Sequence, residues 1–312
     1  MAAGAGAASM TEAPPTASPA GSTADPLPAG RSSFDLPVAR LLVRILDLPT
    51  TWEPFVADNY GVFASSVDPA RTPDLQLTCG ERLLAGLPEV IPGGEPVVRA
   101  RRVDGGRLTI ESHWQDGWLD PDAGRGAIAF ASRQPIHMRM SLENFLRVST
   151  QLLLTRRQTF LLHSAGVIDA GRCFLFFGAS GAGKSTTTTN SAPRAALSDD
   201  MVALDVSGPA AEAQAVPFMG AFPPEHRVQG HYPIAGAFRL RQSADERLER
   251  LATARAVATV SASVPFVAEL GLDPAAITDL VHRLCRSIPV YDLHLTRSGR
   301  FWDLLDREFP RA

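Results

Sequence analysis

The stretch that most constrains this chain is Phe174–Ser185, FLFFGASGAGKS. Four consecutive apolar residues, Phe174 to Phe177, read as a short buried strand. Gly178, Gly181, Gly183, Lys184 and Ser185 then meet the pattern G-x-x-x-x-G-K-[ST] at every required position. The spacing has a physical reason. Glycines let the backbone wrap so that successive N–H groups meet phosphate oxygens, the lysine reaches the terminal phosphates, and the serine hydroxyl can ligate Mg²⁺. The expected nucleotide-binding set is therefore Gly178, Ala179, Ser180, Gly181, Ala182, Gly183, Lys184, Ser185 and Thr186, with ATP and Mg²⁺ as cofactors.

Lys184 is the only lysine in the chain. A sequence this biased uses arginine wherever either cation serves. A compact ammonium between phosphates is a role that a planar guanidinium does not reproduce.

Composition narrows the class. The net charge of -3 with mixed signs gives no general basic field, so nucleic acid is not an expected partner. Apolar residues at 45% against 20% charged can bury a real core, while no run approaches the roughly 18 apolar residues of a membrane span. Cys79, Cys173 and Cys285 are widely spaced with no C-x-x-C pair, which suggests neither a disulfide framework nor a zinc site. A cytoplasmic protein is the expectation, and homo-oligomerisation is left open.

Along the chain, residues 1–33 read as a disordered tail of Ala, Gly, Pro, Ser and Thr, with Met10 as a second candidate start. Residues 34–140 read as a small, mainly β N-terminal domain that could serve substrate recognition. Its runs Ala39–Leu46, Tyr60–Ser65, Leu75–Cys79, Val97–Arg102 and Leu108–Trp114 are short and apolar or alternating, and Asp104-Gly105-Gly106 makes a hairpin turn between the last two. Trp52, Trp114 and Trp118 are expected to pack rather than to bind. Residues 141–312 form the second domain. Ser141 reads as an N-cap before a helix Leu142–Arg156, Ser243–Glu246 as a capping box for a short helix, and Asp273-Pro274 as the start of another.

Around the phosphate loop, the strand Phe160–Ile168 turns through Asp169-Ala170-Gly171 directly into the loop strand, which predicts an antiparallel pair with His163 beside the loop. After the loop, TTTTNSAP is a poor helix, and strand residues resume at Ala195. Asp199 and Asp200 follow soon after Lys184, a distance short for a parallel crossover. One carboxylate could complete a Mg²⁺ shell and the other accept a proton from an attacking hydroxyl. The segment to Tyr232, with Glu225, His226, Arg227 and His231, is either a substrate loop over the site or an ordinary connection.

His163, Phe174–Thr186 and Leu197–Asp200 together resemble, in order and spacing, the catalytic domain of HPr kinase/phosphorylase and its relatives, a fold similar to the phosphoenolpyruvate carboxykinase core. The closing Val290–Leu305, VYDLHLTRSGRFWDLL, resembles the end of HPr-kinase-like proteins found with peptide natural-product gene sets, including lasso peptides. The resemblance implies an α/β (α+β) chain: a P-loop core of mixed sheet with flanking helices, preceded by the β-rich domain. It implies transfer of the γ-phosphoryl group of ATP to a serine hydroxyl of a peptide or protein, with a ribosomal, lasso-type precursor as the suggested acceptor. Asp199 would be the catalytic aspartate, His163 the histidine that adjusts it, Lys184 the phosphate-neutralising cation, and Ser185 and Asp200 the metal ligands. The Glu-Ile-Arg-Gly signature of HPr kinases is missing from Gln214–Phe222, which argues against HPr itself as acceptor. A small-molecule kinase or carboxykinase-type enzyme of the same fold, and a nucleotide-binding regulatory module without turnover, are the alternatives.

Overall fold

Seven strands and a helix precede the first long helix. In the computed structural model, which describes residues 31–64, 70–85, 98–218, 220, 227–296 and 299–311, these are β1 (Arg31–Val38), β2 (Leu41–Pro49), α1 (Glu53–Ala64), β3 (Leu75–Glu81), β4 (Arg99–Arg102), β5 (Leu108–Ser112), β6 (Gln115–Asp120) and β7 (Arg125–Phe130). The strands form one sheet in the order β1-β2-β3-β7-β6-β5-β4, parallel at β2–β3 and β3–β7 and antiparallel elsewhere. The predicted hairpin at Asp104–Gly106 is present, with Arg102 opposite Leu108. Two expectations fail here. Tyr60–Ala64 is helical, its Tyr60 and Phe63 buried as neighbours one turn apart on α1, and β1 begins at Arg31, inside the expected tail. The rest of that tail lies outside the described residues.

Helix α2 (Pro135–Thr155) joins this sheet to the next. Pro135 starts it, because a residue with no N–H costs nothing in the first turn. Ser141 is therefore not an N-cap: it lies mid-helix and is buried. α2 can lie close to β6 because Gly117 has no side chain. A Cβ there would come within 2.6 Å of the Phe145 ring. Past the helix end, Arg156 donates to Asp122 at 2.7 Å and Arg157 to Asp74 at 2.6 Å, both on the first sheet's connections. Trp52 and Trp114 are buried, against Phe130 and His137, whereas Trp118 is exposed beneath Arg107.

The second sheet contains β8 (Thr159–Asp169), β9 (Arg172–Phe177), then helix α3 (Lys184–Thr189), β10 (Ala195–Ser198), β11 (Met201–Asp205), β12 (Glu212–Gln214), β13 (His231–Gln242) and β14 (Arg247–Arg250). Helices α4 (Thr253–Ser261) and α5 (Pro274–Ser287), strand β15 (Val290–Leu295) and helix α6 (Phe301–Glu308) complete the chain. The capping box at Ser243 is absent. Ser243 Oγ accepts from the Asp245 N–H in a turn that leads from β13 into strand β14, since those residues lie beside β15 rather than over open solvent. Asp273 does cap α5, accepting from the Ala275 N–H.

Pairings run β8–β11–β12–β13–β9 and back to β8, a closed circuit. β8 and β9 are antiparallel, as the Asp169–Gly171 turn predicts, and β9 and β13 are parallel. From Arg31 onward the residues form one compact unit of mixed α and β structure built on two mixed sheets.

Candidate functional site

The register of β8 gathers the residues that sequence singles out. On one edge of β8, Ser164 faces Phe177, the last strand residue before the phosphate loop. On the other edge, β10 and β11 follow the same antiparallel register, with Ser198 opposite Gly166 and Met201 opposite His163. Asp199 and Asp200 interrupt that run, so both carboxylates leave the strand at the level of His163. β9 and β10 are consequently parallel to one another with β8 between them, and the connection is short because α3 has only six residues. In and just past it, the hydroxyls of Thr188, Thr189 and Ser191 donate to the carbonyls of Lys184, Ser185 and Thr187, four residues earlier, which satisfies the hydroxyls without strengthening the helix.

The loop has the backbone its glycines permit. Gly178, Gly181 and Gly183 have φ of 153°, 75° and 106°, in the left-handed region, and α3 starts at once with Lys184. Lys184 is buried and donates to the carbonyls of Gly178 at 3.1 Å and Ala179 at 3.4 Å. Gln242 at the end of β13 donates to the Gly181 carbonyl at 3.2 Å, tying the loop to the neighbouring strand.

The two aspartates differ. Asp199 is 2% exposed and accepts from Ser185 Oγ at 3.1 Å. The Gly220 backbone covers it so closely that a Cβ there would overlap the carboxylate. Asp200 is more open and meets Arg147 Nη2 at 2.8 Å and His163 Nε2 at 3.3 Å. Arg147 reaches it from α2, where it also meets Glu143 at 3.3 Å. Burial pulls the Asp200 pKa upward, but the hydrogen bond with His163 and the charges of Arg147, His163 and Lys184 outweigh burial and leave it below the ordinary carboxylate value. His163 thus contacts Asp200; the resemblance assigns it to the adjustment of Asp199.

Lys184, Ser185, His163, Arg147, Glu143, Gly220 and both aspartates open on one cavity of about 800 Å³, lined on the loop side also by Ser180, Gly181, Gly183 and Thr186, and on the far side by α2 and the connection between α4 and α5. That volume accommodates a ligand of nucleotide size. Of the 178–186 set, Ser180, Gly181, Gly183, Lys184, Ser185 and Thr186 line it, while Gly178, Ala179 and Ser180 line an adjoining cavity of about 550 Å³ with Arg239 and Arg241.

A family model described as SynChlorMet cassette protein ScmC matches residues 131–310. The chain belongs to this family. No individual curated protein matched the chain. The ScmC match begins at Ala131, one residue after β7 ends, so it takes in α2, the whole second sheet and every residue lining the cavity except Val98, and leaves out the first sheet.

Sequence reading missed several members of this ScmC-family site, Glu143, Arg147 and Gly220 among them. Glu143 and Arg147 carry a visible signal, opposite charges four apart on a helix, but such pairs are usually solvated. Gly220 carries none. Arg227, left undecided in the sequence, is 5% exposed, donates to the Phe218 carbonyl at 2.6 Å, and feels Asp199 as its strongest neighbouring charge, although burial lowers its pKa. Glu225 and His226 lie outside the described residues, and His231 is exposed beside Glu212. Elsewhere, Glu249, Asp292 and His294 come together, but Asp292 is already held by Arg239 through two bonds of 2.5 and 2.6 Å and by Arg255.

Proposed function

We propose that this protein is an ATP-dependent phosphotransferase that moves the γ-phosphoryl group to a serine hydroxyl of a peptide or protein. The observation that carries the reading is the convergence, in one cavity, of the phosphate loop, the chain's only lysine, two aspartates and a histidine. The HPr-kinase-like core is part of the same proposal, supported by the strand, loop and aspartate order and by the parallel relation of β9 and β10 with β8 between them.

The donor set suits the cofactors. Ser185 Oγ and the Asp199 carboxylate, 3.1 Å apart, are hard oxygen ligands of the kind Mg²⁺ prefers. When bound, Mg²⁺ would neutralise charge on the nucleotide phosphates. Lys184 would leave the loop carbonyls to meet those phosphates, a short move for a flexible ammonium. The contacts favour dividing the carboxylates differently from the resemblance. Asp199, covered and bonded to Ser185, suits the metal side. Asp200, more open and paired with His163, suits the proton from the acceptor hydroxyl. Arg147 and His163 hold Asp200 ionised and oriented, and most of the rate would come from such positioning.

The test is incubation with γ-labelled ATP, Mg²⁺ and serine peptides. Label on serine supports the proposal. Label on a small molecule favours a metabolite kinase, and tight nucleotide binding without product favours a regulatory module.

A further inference from the structure

The cavity of about 550 Å³ is left unused by the catalytic reading. It meets the larger cavity at Ser180 and His163, which line both, whereas Ser185 and Thr186 line the larger one alone. The proposed metal side therefore belongs to the larger cavity. His163 Nε2 meets Asp200 at 3.3 Å, so the smaller cavity opens beside the group proposed to take the acceptor's proton.

Its wall is cationic. Among the described residues Arg239 and Arg241 line it and no Asp or Glu does, while Glu143, Asp199, Asp200 and Glu269 all line the larger cavity. The register of β13 sets this wall. Arg239 stands opposite Phe177, the last residue before the phosphate loop, so Arg241, two residues further along the same face, stands level with the loop. The nearby carboxylates are already taken. Asp292 is buried and accepts two bonds from Arg239 and one from Arg255 at 3.2 Å, and Glu249 is held by Arg247 at 2.7 Å. Arg241 approaches Asp292 only to 3.8 Å, beyond hydrogen-bond distance, and its side chain is 45% exposed. A guanidinium so placed presents an accessible fork of donors that fits a carboxylate.

We infer that Arg241 is a specificity-determining residue that receives a carboxylate of the acceptor, and that the acceptor is a peptide with an acidic side chain beside its serine. With the hydroxyl at Asp200, the flanking residue enters the smaller cavity past His163 and meets a wall of positive charge. This rests on the phosphoryl-transfer reading and narrows its substrate.

The probes are acetylated tripeptide amides Asp-Ser-Asp, Leu-Ser-Leu and Arg-Ser-Arg, each with γ-labelled ATP and Mg²⁺, and acetylated Leu-Ser-Leu with a free C-terminus. Asp-Ser-Asp is expected to exceed the other three in kcat/KM by about tenfold, and its advantage should shrink as salt is raised. Arg241→Ala is expected to raise the KM for Asp-Ser-Asp by about tenfold, with Leu-Ser-Leu and the KM for ATP changed by less than about threefold. Arg241→Glu should lower Asp-Ser-Asp further and raise Arg-Ser-Arg. The Tm of Arg241→Ala should stay within about 3 °C of wild type, because its contact with Asp292 is the longest of the three arginines'. Wild-type protein that uses Leu-Ser-Leu amide as well as Asp-Ser-Asp, or the free C-terminus as well as the acidic side chains, would overturn the inference. So would an Arg241→Ala variant that leaves both amides unchanged or impairs both equally, and wild type that binds ATP but labels no peptide. Failure of the wild type to bind ATP would instead bring down the phosphoryl-transfer reading.

Discussion

Ser185 Oγ donates to Asp199 Oδ2 across 3.1 Å, joining the first turn of α3 to the two-residue bend between β10 and β11. On the proposed phosphoryl-transfer reading, both oxygens would be Mg²⁺ ligands. Ser185→Ala and Asp199→Asn should each weaken Mg²⁺-dependent ATP binding by about tenfold or more, while binding measured without Mg²⁺ changes little. Titration calorimetry with and without the metal checks this. Equal losses in both conditions would remove Asp199 from the metal side.

The Asp200–His163 contact predicts a different signature. Asp200→Asn and His163→Ala should lower kcat by about a hundredfold, within the range of general base catalysis, and leave ATP affinity nearly intact. Single-turnover transfer at saturating ATP is the measurement. A loss confined to ATP affinity would contradict the assignment.

Gly220 has no room for a side chain against Asp199. Gly220→Ala should push that carboxylate away from Ser185 and reduce transfer by about tenfold, because misplacement of under 1 Å is expensive in a preorganised site. Wild-type kinetics in this variant would show that the contact is slack.

Gly117→Ala tests the seat of α2. Its Cβ would meet the Phe145 ring and the Ala127 carbonyl, at 2.6 and 2.7 Å, so overpacking should cost about 2 kcal/mol, read as a lowered denaturation midpoint.

Asp292 gives a pH-dependent stability prediction. Burial raises its pKa, but bonds and charge from Arg239, with Arg241 and Arg255, win and hold it below 3.8. The folded value is therefore depressed. Its contribution is complete above the unfolded value and fades as pH falls through the folded one. Asp292→Asn should destabilise the protein by about 3 kcal/mol at pH 7, since it leaves the arginine without its carboxylate. The gap from wild type should shrink below about pH 3.8. A gap that stays constant into acid would mean that the ion pair contributes nothing.

The loop strand, the antiparallel β8–β9 pair and the nearness of His163 were legible because each depends on local pattern: an apolar run, a glycine turn, a fixed motif. The helix over Leu142–Thr155 was legible, but its start was set too late because Pro135 outranks Ser141 as a start signal once the helix is buried along its length. The Ser243 capping box has a side-chain hydrogen bond of the expected kind, but pairing with β15 made the following residues a strand.

Sequence alone determined that a lysine and a serine would stand at the end of a buried strand, with a histidine before them and two aspartates soon after. Those facts are set by covalent spacing and side-chain chemistry. Tertiary structure decided which aspartate meets Ser185 and which meets His163, and brought Glu143, Asn144, Arg147, Gly220 and Arg227 to the same place. The register of β10 and β11 on β8, and the seat of α2 on a glycine, fix those neighbours. Both arise from packing between segments far apart in the chain, for which a single sequence carries no local signal.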